Sequence, residues 1–163
     1  MAETDQKLLT FSLGSEGYGV SILKVKEIIG MMDITPVPRT PDYIKGVINL
    51  RGKIIPVMDL RIKFGMKAQE YNERTCIIVA EVTIKGNQKM LGVVVDMVSE
   101  VLTISTSQIE PPPEYGTAVE HNAILGIGKI KDRVVIILDI DQVFICDELV
   151  KMLDNVKESA HVG

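Results

Sequence analysis

The sequence has no tryptophan, and aromatic residues make up only 4% of it. A core must therefore be assembled from Ile, Val, Leu and Met, within a hydrophobic content of 46%. Two histidines and two cysteines leave little for nucleophilic or metal chemistry. His161 sits in the polar "KESAHVG" tail and His121 in the polar stretch "EHNA". Neither Cys76 nor Cys146 has a close Cys or His partner, so both are expected as reduced, buried small hydrophobes. No apolar run approaches the ~20 residues that a membrane-spanning helix needs. The opening "MAETDQK" lacks the basic-then-apolar pattern of a secretory signal. A net charge of −4, with both signs interspersed, offers no basic face for nucleic acid and no basic patch for a lipid surface. The expectation is a cytoplasmic protein with no nucleic-acid partner and no direct membrane insertion.

What is present is β-branched and punctuated by turns. "LLTFSL" and "YGVSI" flank residues 14–17, and "VINL" and "KIIPVMDL" flank Arg51 and Gly52. "TCIIVAEVTI" and "KMLGVVVDMV" flank residues 85–88, and "ILGIGKI" and "RVVIILDI" flank Lys131 and Asp132. Four hairpins of short strands predict an all-β sandwich or barrel. Helical signals are few. Ile22, Val25 and Ile29 have helical spacing within "ILKVKEII", which predicts a short helical link. Asp147 as an N-cap before Leu149, Leu153 and Val156 predicts a C-terminal helix, with a frayed tail, over 147–163.

The pattern occurs twice. Displaced by 80 residues, Gly46, Val47, Leu50, Arg51, Lys53, Ile54 and Asp59 fall on Gly126, Ile127, Ile130, Lys131, Arg133, Val134 and Asp139 without a gap. Displaced by 73, Gly19, Val25, Glu27 and Ile28 fall on Gly92, Val98, Glu100 and Val101. A weaker match sets "LLTFSL" on "IIVAEV". The chain thus reads as an internal duplication giving two packed five-stranded β-barrels, since one such barrel has little core of its own. The expected first barrel covers about 14–73 and the second about 75–146, with the N-terminal strand a candidate for exchange between them. Residues 31–43 and 107–116 are proline-rich in both copies, which fixes extended loops. Such loops suit recognition, or serve simply as stiff connectors.

Catalytic motifs do not survive inspection. "GVINLRGK" approximates a phosphate-binding loop, but five residues separate Gly46 and Gly52, and the β run "IIPVMDL" follows where a helix N-terminus is required. Asp59 and Asp139 occupy equivalent positions, so turn-forming carboxylates are expected rather than an acid–base pair or a site for an enzyme using Lys53. "LDIDQ" lacks the Asp/Asn-rich continuation of a calcium loop. No cofactor or metal site is expected, and no enzyme. Surface features remain. Arg51 offers a planar fork for a carboxylate, and Glu27 is the only acid of the link segment, so a Glu27–Arg51 pair is predicted. The apolar residues of that segment are either sandwiched between the barrels or form a groove for a partner helix. Tyr115, after three prolines, is an interface anchor or packs back on a barrel rim.

"ILKVKEII", "ITPVP", "PDYIKGVINLRGKIIPVMDLRIKFG", "GVVVDMVSEVL", "IEPPPEYG" and "ILGIGKIKDRVVIILDID" together resemble the CheW-like domain family of bacterial chemotaxis, over about residues 6–146. The resemblance implies two SH3-like barrels. It implies a standalone adaptor, because 163 residues hold no kinase core or receiver domain beside the domain. The implied role is non-enzymatic coupling of methyl-accepting chemoreceptors to the histidine kinase CheA, at the inner face of the membrane. An alternative is a coupling scaffold of the same fold in a receptor–kinase pathway other than chemotaxis. By motif position, the receptor tip would meet Leu9, Ile22, Val25, Glu27, Ile28, Met31, Arg51, Val98 and Val101. The kinase's own CheW-like regulatory domain would meet Ile34, Val37 and Tyr115.

Overall fold

The computed structural model describes residues 5–111, 123–130 and 132–143. The expected C-terminal helix, Cys146 and Tyr115 lie outside these residues. Among the described residues eleven strands run in chain order: β1 (Asp5–Leu13), β2 (Glu16–Ser21), β3 (Val25–Gly30), β4 (Ile44–Leu50), β5 (Lys53–Asp59), β6 (Cys76–Ile84), β7 (Asn87–Val95), β8 (Met97–Ser105), β9 (Ile109–Glu110), β10 (Ile124–Ile130) and β11 (Arg133–Leu138). Two single-turn helices, α1 (Leu60–Lys63) and α2 (Ile140–Val143), follow β5 and β11. The strands form two sheets, β8-β1-β2-β11-β10-β9 and β3-β6-β7-β5-β4.

These sheets do not follow the halves of the sequence. Each takes a two-strand hairpin from one repeat and its remaining strands, three or four, from the other. β1 and β2 join β8, β10 and β11, whereas β6 and β7 join β3, β4 and β5. A division at about 14–73 and 75–146 therefore cuts through both sheets, and what crosses over is a whole hairpin rather than the N-terminal strand alone. The repeat itself appears in the register. Val57 lies opposite Gly92 in the parallel pairing of β5 with β7, and Ile137 lies opposite Gly19 in that of β11 with β2. Val25 lies opposite Ala80 and Val98 opposite Phe11, each next to a register shift.

The exchange explains the sequence of the central hairpins. In β6, Ile77 and Val79 point into one core and Ile78, Ala80, Val82 and Ile84 into another. A strand buried on both faces reads as a continuous apolar run, as "IIVA" does. The largest core lies between the sheets and draws Leu9, Phe11, Leu13 and Val20 from one and Ile78, Leu91 and Val93 from the other. It holds 21 buried residues, against six and three inside the individual barrels, so neither barrel has a core sufficient to stand alone.

The extra strand of the six-stranded sheet comes from the proline-rich segments. β9 lies along β10, and in the other barrel Thr35 makes the same approach to β4, exchanging two backbone hydrogen bonds of 2.9 Å with Val47. That approach is why Gly46 is glycine. Its φ is +141°, and a Cβ there would lie 2.0 Å from the Thr35 carbonyl oxygen. The segments thus cover exposed sheet edges.

The expected helical link is one 3₁₀ turn, Ile22–Lys24, running directly into β3. The reason is the register shift between Val25 and Glu27, which puts Val25 and Ile28 on the same face of a strand. A bulge thereby reproduces the i, i+3 spacing of a helix. Asp59 is a cap, as its turn-forming reading expected: its Oδ1 accepts from the backbone of Arg61 at 3.0 Å and of Ile62 at 3.4 Å. Cys76 is half-buried rather than buried, because it opens β6 at the margin of the inter-barrel core.

Two outcomes are expected. Leu91→Ala, at a fully buried inter-barrel position, lowers stability by about 2–5 kcal/mol, and chemical denaturation followed by fluorescence and by circular dichroism gives one coincident transition. Separate transitions for two halves contradict the shared core. Tyr18 donates to Glu16 at 2.7 Å and Tyr71 to Asp59 at 2.9 Å. Burial, then these hydrogen bonds and the carboxylate charges, raise both phenols above the ordinary tyrosine range. Because the folded value exceeds the unfolded one, their stabilisation is complete below about pH 10 and is lost as pH rises beyond it. An ultraviolet titration of the native protein should show Tyr18 and Tyr71 ionising only above the range of the free phenol.

Candidate functional site

Strands β3 and β8 are each one edge of a sheet and occupy equivalent places in the repeat. Residues directly opposite one another in an antiparallel pair share a face. Val25 and Ile28 lie opposite Ala80 and Ile78, and Val98 and Val101 lie opposite Phe11 and Leu9. All four of those partners belong to the inter-barrel core. Val25, Ile28, Val98 and Val101 therefore continue that core outward to the sheet edges. Val25 and Val98 are half-buried against it, while Ile28 is 42% and Val101 49% exposed. Ile22, on the 3₁₀ turn before β3, packs against the same cluster. The result is an apolar margin where the core reaches solvent.

The bulge in β8 is held by a buried hydroxyl. Thr10 Oγ1 accepts from the Glu100 backbone N–H at 3.1 Å and donates to the Glu100 carbonyl at 2.6 Å. This satisfies backbone groups that the interrupted ladder leaves unpaired. It also fixes the stretch of β8 between Val98 and Val101. Sequence reading passed over Thr10, whose signal is a lone hydroxyl in an apolar strand.

Beside the margin, Glu27 and Arg51 form the expected ion pair. Arg51 Nη1 donates to Glu27 Oε2 at 3.3 Å, and Nη2 engages Oε1. Both forks of the guanidinium meet both carboxylate oxygens, the arrangement that distinguishes Arg from Lys. The hydrogen bonds that Arg51 donates to Glu27, and then the Glu27 charge, push the already high Arg51 value further up. Arg51 reaches Glu27 because its turn is tight: φ is +52° at Arg51 and +87° at Gly52. Two consecutive left-handed residues make the turn type that suits twisted hairpins. Asn49 Oδ1 accepts from the Gly52 N–H at 2.9 Å, so Asn49 serves the turn and not a partner. The pair spans the opening of the five-stranded barrel, since β3 and β4 are its two outermost strands. In the other barrel Glu100, equivalent to Glu27, faces Arg133 at 3.7 Å.

The remaining expected positions separate. Leu9 is 2% exposed and lies in the core opposite Val101, so it supports the margin and offers no surface to a partner. Met31 and Ile34 are half-buried against the interior of the five-stranded barrel, whereas Val37 packs on the inter-barrel core. The two residues of "ITPVP" thus attach to different cores. Among the described residues no group of three or more His, Cys, Asp or Glu side chains is gathered as metal ligands would be. None of the described helices is long and apolar enough to cross a membrane.

Residues 7–146 match the CheW-like domain. The chain is 42% identical over 154 residues to Chemotaxis protein CheW of Klebsiella aerogenes, covering 94% of this chain and 90% of that one. It is 37% identical over 143 residues to Chemotaxis protein CheW of Rhizobium meliloti, covering 88% and 90%. The crystal structure of the scaffolding protein TtCheW from Thermoanaerobacter tengcongensis superposes with a TM-score of 0.78 at 38% identity, covering 89% of this chain and 91% of that one. Two barrels joined across exchanged hairpins, with similarity running through both repeats, make this chain a member of the CheW-like domain family.

Proposed function

We propose that the chain is a non-enzymatic adaptor that couples transmembrane chemoreceptors to the histidine kinase CheA, working at the cytoplasmic face of the membrane. The observation that carries this reading is the apolar margin of Ile22, Val25, Ile28, Val98 and Val101, flanked by the Glu27–Arg51 pair. Half-buried and exposed aliphatic side chains on two sheet edges that border one core suit the apolar stripe of a helical receptor tip. The ion pair presents charge at one side, which fixes register and orientation more than it adds affinity. Ile34, Val37 and Tyr115 are assigned to the kinase-facing surface, with Met31 at the receptor side. The names of the relatives, chemotaxis and scaffolding proteins, support the same role.

An adaptor of this kind acts without chemistry. Receptor and kinase bind one body, and any receptor state that alters these contacts unequally shifts the kinase equilibrium. The test is reconstitution of the chain with CheA and receptor-containing membranes. Co-sedimentation of all three, and receptor-dependent kinase activity, are expected. Ile28→Asp should weaken receptor binding on the order of tenfold or more while the melting temperature stays near that of the parent. Arg51→Ala should also weaken binding with little change in melting, because its side chain is 72% exposed. A parent chain that retains neither receptor nor CheA sinks the reading.

A further inference from the structure

Two ion pairs outside the docking margin are related by the internal duplication, with their charges reversed. In one, Asp96, between β7 and β8, accepts from Arg61 Nη1 at 2.5 Å and from the Gly14 backbone N–H at 2.7 Å. In the other, Asp141 accepts from Lys24 Nζ at 2.9 Å and from the Thr83 backbone N–H at 2.9 Å. The displacement of 80 that relates the hairpins sets Arg61 on Asp141. The match of "LLTFSL" to "IIVAEV" sets Gly14 on Thr83. Each pair thus joins the same three regions: the helix that closes one repeat, the crossing into an edge strand of the other repeat, and the first hairpin of the helix's own repeat, which lies in the opposite sheet. At the crossing the match is regional, since the displacement of 73 sets Lys24 on Met97, one residue beyond Asp96, and acid and base are exchanged.

Each clasp holds the two barrels together and pins the root of an edge strand. Arg61 is on α1 of the five-stranded barrel and Gly14 in the β1–β2 turn of the six-stranded one. Asp141 is on α2, after β11, and Thr83 is in β6 of the opposite sheet. Lys24 immediately precedes Val25 in β3, and Asp96 immediately precedes Met97 in β8. Helix and backbone contacts further fix both carboxylates. Asp141 N–H donates to Asp139 Oδ1 at 3.1 Å, and Asp96 N–H donates to the Ser12 carbonyl at 3.2 Å. Arg61 is further held through its Nε to the Lys67 carbonyl at 3.1 Å.

From this geometry we infer that Lys24–Asp141 and Arg61–Asp96 are positioning pairs that set the separation of β3 and β8, and with it the width of the docking margin. The inference about docking rests on the proposed adaptor function; the inference about separation does not. The duplication also supplies a rescue. Lys24→Asp combined with Asp141→Arg gives the second clasp the polarity of the first, with the carboxylate on the crossing and the guanidinium on the helix.

The experiment reads both levels. Nitroxide labels on Ile28→Cys and Val101→Cys, with Cys76 and Cys146 replaced by Ser, report the β3–β8 separation by pulsed electron paramagnetic resonance. Asp141→Asn, which keeps an oxygen for Thr83, should broaden the distance distribution, and the double exchange should narrow it again. If Asp141→Asn does not fold, Lys24→Met gives the same reading. In unlabelled protein, Asp141→Asn should weaken binding of a receptor-tip fragment about fivefold, with recovery in the double exchange. An unchanged distribution overturns the positioning role. A broadened distribution with unchanged fragment binding overturns its link to docking. A parent chain that fails to bind the fragment removes the docking reading and leaves the separation result standing.

Discussion

The structure depends on one constraint: two hairpins, β1–β2 and β6–β7, are buried on both faces. Each hairpin supplies one side of its strands to a barrel interior and the other to the core between barrels. An apolar strand with no solvated face has no reason to stay with its own repeat, provided a sheet of equal register receives it. The exchanged arrangement buries both hairpins and places the larger core where the two sheets meet. A contiguous pair of barrels would be joined only by the single segment between the repeats. Here the chain crosses from one sheet to the other between β2 and β3 and again between β7 and β8.

The candidate site is a consequence of that core reaching its limit. A sheet edge ends the supply of neighbouring strands, so side chains on the core-facing side of β3 and β8 are covered from one direction only. The bulges at Val25–Glu27 and at Ser99–Glu100 decide which side chains these are. Without them, strict alternation would turn one member of each of the pairs Val25–Ile28 and Val98–Val101 away from the margin. Small backbone irregularities, one of them held by Thr10, therefore determine which chemistry the surface carries.

Hairpins, repeat and ion pair were legible because each has a local signature. Gly and charged residues at turns mark strand ends, and a displacement without gaps marks equivalent register. Arg51 with Glu27 could be anticipated because one acid and one planar cation stood out from apolar surroundings. The exchange of hairpins was not legible, since β1 meets β8 through the same register that an intra-repeat pairing with β3 would use. Sequence specifies the pairing but not which copy supplies the strand. The helix expected over residues 22–29 failed for a related reason: a bulged strand and a helix both bring i and i+3 to one face. Leu9 read as a surface residue because its place in the motif is adjacent to the margin, while its side chain lies one strand further in, buried beside Val101.

Duplication creates a difficulty that the divergence of the two copies resolves. Two identical repeats about a pseudo-twofold would present a symmetric margin, which a helical partner could enter in either sense. The apolar positions are nearly symmetric: Val25 and Ile28 answer to Val98 and Val101. The polar ones are not. Glu27 is clamped by both forks of Arg51, whereas Glu100 meets Arg133 at 3.7 Å with both side chains more than half exposed. One end of the margin thus has a pair joined through both forks of the guanidinium and the other a single, longer contact. Burial against the apolar positions supplies attraction in either orientation, and only the unequal ends tell the orientations apart. On the proposed adaptor role, the copies stay alike where they build barrels and differ where a single partner would be read in one direction.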